Sequence, residues 1–209
     1  LRLYVARHAE CAKNLIGIPG GKGDSLTSRG IDQARELAVC VASLRNRPCG
    51  IDACPTVQTR ETANFIAERL GLTVQVRREL SSIGLGVLTG ISINEARRLH
   101  PASSASMDLW RSRQIELCDL VIEGMENPVQ FYRRGLRYLL SLSEQAAPQF
   151  VAATTSILIL FDNLHRMHGA ARGENYRARE YTHAELLTLD FSTEHIDWLR
   201  RQEEMYDKM

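Results

Sequence analysis

Arg7 and His8 end an apolar run, Leu3-Tyr4-Val5-Ala6, and Asn14 follows six residues after His8. A guanidinium beside an imidazole at the end of an apolar run asks for a chemical reason, since one is a fixed cation and the other gives or takes a proton near neutral pH. One reading is a strand-end pair that only satisfies backbone carbonyls. In open parallel sheets ligands collect at the carboxyl ends of strands, and Arg7-His8 leaves an apolar run of strand length at such an end.

The elements that must position the pair alternate along the chain. LRLYVA reads as a strand. SRGIDQARELAVCVASLRN carries Ile31, Ala34, Leu37, Ala38, Val41 and Leu44 at helical spacing. GIDAC is a second strand, and TVQTRETANFIAERLG a helix closed by Gly71. LTVQVRREL alternates like a strand, and SINEARRLH is a short helix stopped by Pro101. Residues 101–127 are the most irregular stretch and read as a lid or insertion. PVQFYRRGLRYLLSLSEQ opens with Pro128 in its first turn and continues as a helix. QFVAATTSILIL begins as a buried strand, AELLTLDF is the last strand, and TEHIDWLRRQEEMYDKM is an amphipathic surface helix. This order predicts an α/β fold, a three-layer α/β/α sandwich with a mostly parallel sheet. One domain is expected over 1–209, with the lid at about 101–127 and an amphipathic tail at 193–209.

Composition narrows the function classes. The chain has 209 residues, 44% hydrophobic, enough for a sizeable core. Lys plus Arg number 26 against 25 Asp plus Glu, so the charge of +1 advertises no nucleic-acid partner. No apolar run approaches the ~20 residues that span a bilayer, so no membrane partner is expected, and no signal-peptide pattern is read. Cys11, Cys40, Cys49, Cys54 and Cys118 are odd in number and form no CxxC pair, which points to reduced thiols in the cytoplasm. Neither a cofactor nor a metal is expected, and a homodimer is left open.

RHAECAKN resembles the R-H-G-E-T-x-x-N signature of the histidine phosphatase superfamily, which includes the cofactor-dependent phosphoglycerate mutases. DSLTSRGIDQA, CPTVQTRETANFIAERLGL, LSSIGLGVLTG, FVAATTSILIL and HAELLTLDF resemble its later motifs, in order, from residue 3 to about 191. The resemblance implies a phosphoglycerate mutase-like fold. It also implies a His nucleophile that passes through phosphohistidine, two arginines and a second His around the phosphoryl group, and a Glu as general acid.

Position by position, His8 matches the nucleophile, Arg7 the first arginine and Asn14 a pocket residue. The second arginine falls at Gln58. The acid falls at Ser82, with Gly86 and Gly90 fixing the register. The second His falls at Ser156, or at Thr155 if the register slips by one. Losing one preorganised donor costs ~2.7–4 kcal/mol, and such losses do not add. Ordinary phosphatase turnover is therefore expected to be weak or absent.

Neighbours offer few replacements. Arg60 lies ~200° round the helix from Gln58. Glu79 would have to swing inward. His165 lies roughly 13 Å along a helix from Ser156, and His168 lies farther still. His183, at the start of the last strand, is the spare imidazole best placed to approach the pocket. Cys11 and Cys54 are read as small core residues ahead of a thiol nucleophile or a Cys/Cys/His8 metal site. Glu126 is expected to pair with Arg133 or Arg134, and Lys22 to be a solvated loop lysine.

The leading function is a divergent member that binds a phosphorylated or anionic small molecule, with weak phosphoryl transfer or an altered reaction. His8 and Arg7 are its catalytic pair, and Asn14, Gln58, Ser82, Ser156 and His183 bind substrate. The alternatives are a non-catalytic pseudophosphatase acting as a binding module, and a true phosphomonoesterase with relocated groups.

Overall fold

A computed structural model of the chain describes residues 1–145 and 147–208. Five strands form one sheet: β1 (Arg2–Arg7), β2 (Gly50–Ala53), β3 (Val74–Val76), β4 (Gln149–Ala153) and β5 (Leu186–Asp190). Their order across the sheet is β3-β2-β4-β1-β5. β1 pairs with β4, and β2 with both β4 and β3, all parallel, while β5 runs antiparallel to β1.

Strand side chains alternate between two cores, as the two-residue period requires. Leu3, Val5, Val151 and Ala153 face one, and Tyr4, Ala6, Phe150 and Ala152 face the other. The second core is closed by Leu37 and Val41 of α2 (Ser28–Ser43) and Ile66 of α3 (Val57–Leu70). The first is closed by α6 (Pro128–Ser143) and α7 (Thr155–His165), with α8 (Thr193–Asp207) packed on α6. The result is the three-layer sandwich with a mostly parallel sheet. Met209, the last residue of the tail read as amphipathic, lies outside the described residues.

Two shorter helices follow β3: α4 (Ile93–Leu99) and α5 (Pro101–Arg111), and a single turn, α1 (Ala12–Leu15), follows β1. The first part of the stretch expected to be irregular is thus a regular helix. Pro101, expected only to stop α4, is the first residue of α5. There its missing N–H costs nothing and its fixed φ already suits a helix. Met107 and Trp110 anchor α5 in the core.

Several contacts fix the chain just beyond β1. The Ala9 N–H donates to Thr62 Oγ1 at 3.0 Å, and the Thr27 N–H to the Glu10 carbonyl at 3.0 Å. Gly30 allows this approach, since a Cβ there would stand 2.0 Å from the same carbonyl.

Candidate active site

Topology brings five segments to one edge of the sheet. β1, β2, β3 and β4 run parallel, so their carboxyl ends lie together, and antiparallel β5 starts at that edge. The His8 N–H donates to the Ala153 carbonyl at 2.9 Å, the Cys54 N–H to the Ala152 carbonyl at 3.1 Å, and the Ala184 N–H to the Arg7 carbonyl at 3.1 Å. Residues after β1, β2, β3 and β4, and before β5, thereby surround a cavity of about 580 Å³. Arg7, His8, Asn14, Gln58, Ser82, Ser156 and His183 all line it.

His8 is only 4% exposed. Its Nδ1 lies 2.7 Å from the Ala9 carbonyl, which can only accept, so Nδ1 carries the proton. The Nε2 lone pair is left for the cavity. Burial pushes the imidazole pKa down to about 3, helped by the charges of Arg7, His183 and Lys13 and opposed by the Ala9 hydrogen bond. A neutral ring with one nitrogen fixed and the other open is the form a nucleophile needs.

Arg7 is half-buried. Its Nη1 donates to the Tyr181 carbonyl at 2.6 Å, and its Nε is shielded without a partner. Desolvation lowers its pKa. Among the described residues no carboxylate pairs with it, so its charge is available to an anion.

The remaining positions are less open. Gln58 is 1% exposed, and its Oε1 accepts the Asp24 N–H at 3.2 Å. Ser82 Oγ donates to Thr154 Oγ1 at 2.9 Å, Thr154 Oγ1 and Ser156 Oγ are 3.3 Å apart, and Ser156 Oγ accepts the Ile83 N–H at 3.3 Å. Three hydroxyls thus bond mainly to one another along one wall. Asn14 Oδ1 accepts from the Cys11 N–H and thiol, both at 3.0 Å, so Asn14 ties down its own turn. The His183 ring centroid is 5.8 Å from that of His8, and its Nε2 is shielded and unpartnered. Burial lowers the His183 pKa, and Arg7 lowers it further.

Residues 3–203 match the sequence profile of the histidine phosphatase superfamily (branch 1). The chain belongs to this superfamily. The probable phosphoglycerate mutase GpmB of Erwinia tasmaniensis is 29% identical over 172 residues, covering 78% of this chain and 74% of that protein. A mycobacterial glucosyl-3-phosphoglycerate phosphatase, solved with VO3, superposes with a TM-score of 0.79 at 19% identity over 93% of each chain. The α-ribazole phosphatase of Shigella flexneri gives 0.73 at 20% identity over 92% of each chain. At these identities the solved structures establish the fold, which is phosphoglycerate mutase-like.

In this histidine phosphatase superfamily member, several side chains considered as partners for His8 stand clear of the cavity. Arg60 is exposed on α3, and Glu79 is exposed with only its carbonyl engaged, by Arg134 at 2.5 Å. His165 stacks on His195 at 5.0 Å between centroids, and neither it nor His168 lines the pocket. Cys11 and Cys54 are fully buried outside the lining, and burial pushes the Cys54 thiol up to about 12. Among the described residues no group of three His, Cys, Asp or Glu could hold a metal. Nor is any described helix long and apolar enough to cross a membrane.

The sequence reading missed three cations that line the cavity: Lys13, Arg111 and Arg179. It considered Lys22, which is exposed and outside the lining. Arg179 is engaged by Asp162 at 2.6 Å. Lys13 has no carboxylate partner among the described residues; its Nζ donates to the Gly20 carbonyl, and burial lowers its pKa. The available signal was position, since Lys13 sits inside the signature, one residue before Asn14.

Arg134, not Arg133, pairs with Glu126, at 3.1 Å. Its Nη2 also donates to the Ser82 carbonyl at 3.2 Å, so the pair fixes the Ser82 loop.

Proposed function

We propose that the chain binds a phosphorylated small molecule at the Arg7–His8 floor of the cavity and transfers its phosphoryl group to His8 slowly. The supporting observation is the His8 geometry: Nδ1–H held by Ala9 at 2.7 Å, with Nε2 facing a cavity lined by an unpaired guanidinium. Nε2 attacks phosphorus, the P–Nε2 bond forms, and the ester P–O bond breaks. The leaving oxygen departs with the electron pair. Water then attacks phosphorus, the P–N bond breaks, and inorganic phosphate leaves.

Arg7 and Lys13 supply the positive charge for the equatorial oxygens. No carboxyl group stands at Ser82 to protonate the leaving oxygen, and the one carboxylate among the lining residues, Glu180, is exposed in the loop before β5; in this reading Glu180 does not serve as the acid, and the oxygen departs unaided or takes a proton from water. Only good leaving groups can do so at a useful rate. His183 completes the wall beside His8 as a phosphate contact. Five unpaired cysteines accord with a cytoplasmic setting.

The pseudophosphatase reading has its own support in the Ser82–Thr154–Ser156 chain and in Gln58, whose polar atoms are engaged within the protein. The two readings separate on phosphate release from a panel of phosphomonoesters by wild type and His8→Ala. Slow release from aryl esters, abolished in His8→Ala, is expected. Release that persists in His8→Ala would remove the nucleophile, and no release from any ester would favour the binding module.

A further inference from the structure

The cavity is larger and less polar than a phosphoryl site alone requires. At about 580 Å³ it falls within the size range of pockets that enclose drug-sized molecules. Arg7, His8, Gln58, Ser82, Ser156 and His183 gather at the sheet edge, while Arg111 on α5 and Arg179 and Glu180 line the cavity farther out. Away from the edge the apolar walls are Ile18, Ile83, Ile93, Met107, Trp110 and Ile159, contributed by the loop after α1, the loop before α4, and α4, α5 and α7.

Ile18, Ile83 and Ile93 are each half-buried, so part of each side chain remains bare inside a concave surface. The arrangement is held in place. The Gly90 N–H donates to the Pro19 carbonyl at 2.9 Å, and a Cβ on Gly17 would stand 3.6 Å from Ile93. Trp110 is fixed by stacking on Tyr176 at 5.9 Å between centroids. A preformed apolar wall beside an anion floor recognises a molecule with both features.

We infer that the ligand of this site is an amphiphilic phosphomonoester: a phosphoryl head on Arg7 and His8, and an apolar body lying against Ile18, Ile93 and Met107. Small hydroxylated esters such as 3-phosphoglycerate leave that wall wet and bind weakly. This rests on the proposed anion site at Arg7–His8, and it specifies what is attached to the anion.

The test uses n-alkyl phosphates from methyl to hexyl, with 3-phosphoglycerate and inorganic phosphate as comparisons. Alkyl esters have poor leaving groups, so they report binding and are not consumed. Affinity for the full chain is measured by calorimetry. Each methylene buried against the wall should tighten binding about fourfold until the wall is filled. Hexyl phosphate should therefore bind far more tightly than 3-phosphoglycerate.

Arg7→Gln should weaken every member of the series, and Ile93→Asn should lower the hexyl-to-methyl ratio. Far-ultraviolet circular dichroism confirms that each variant is folded, and Ile18→Asn replaces Ile93→Asn if the latter unfolds. A flat series that still depends on Arg7 would overturn the apolar body and leave the anion site standing. A rising series indifferent to Arg7 or to Ile93 would place the apolar binding elsewhere and overturn the inference. Failure of all probes, inorganic phosphate included, would overturn the anion site itself and the inference with it.

Discussion

Keeping His8 neutral inside the protein costs stability in acid. In the unfolded chain its imidazole titrates near 6.5, whereas in the folded chain burial holds it at about 3. Below about pH 6.5 the unfolded state therefore takes up a proton that the folded state refuses. The stability is complete above that pH and is lost progressively as pH falls towards 3. The full span is on the order of 5 kcal/mol. His8→Asn should reduce the loss between pH 7 and pH 4.5 by about 2–3 kcal/mol, read from urea midpoints at the two pH values. An identical loss in both proteins would show that His8 is not held neutral by burial.

The elements that carry the site are braced by contacts between the sheet and α6. Asp52 of β2 is fully buried, with Arg77 Nε at 2.9 Å and the Tyr138 hydroxyl of α6 at 2.7 Å. Removing the carboxylate strands both partners, and Asp52→Ala should cost about 3 kcal/mol in denaturant-measured stability. α6 also crosses α7 closely: a Cβ on Gly135 would stand 2.2 Å from Leu160. Gly135→Ala should cost about 1–3 kcal/mol despite the better helix propensity of Ala, because packing overrides it. A neutral or stabilising result in a thermal melt would mean that the α6–α7 approach is looser than this contact implies.

These same contacts mark the boundary of what the chain discloses by itself. Strand and helix periods, Gly71 and Pro128 report local geometry, so the element order and the layers were legible. Arg7, His8 and the positions Gln58, Ser82, Ser156 and His183 converge because the segments leaving parallel β1, β2, β3 and β4 and the segment entering antiparallel β5 meet at one edge. α5 was not legible, because its Ser-rich first turn lacks a helical stripe and its order comes from Met107 and Trp110 seating in a distant core. Lys13 was missed for a similar reason. Which way a lysine on a single helical turn points is decided by the Gly20 loop that folds over it.

At the scale of the molecule, the site joins both halves of the sandwich, since its wall takes in α3 from one layer and α5 and α7 from the other. A bound anion should therefore stabilise the whole fold. At a hundred times its Kd, a ligand adds about 2.7 kcal/mol. A rise in Tm with inorganic phosphate that disappears in Arg7→Gln is expected in a thermal-shift titration; no rise at saturating phosphate would contradict the anion floor. The proposed function is more demanding: His8 attacks phosphorus with Gln58, Ser82 and Ser156 where the resemblance expects a second arginine, an acid and a second histidine. The most direct measurement is the rate of phosphate release across aryl and alkyl phosphates of graded leaving-group pKa, for the wild-type protein at neutral pH. With His8 attacking and no acid assisting, the rate should climb steeply as the leaving group becomes more acidic, with alkyl esters at background. Equal rates for alkyl and aryl esters would require a general acid in the pocket and would contradict the mechanism proposed here.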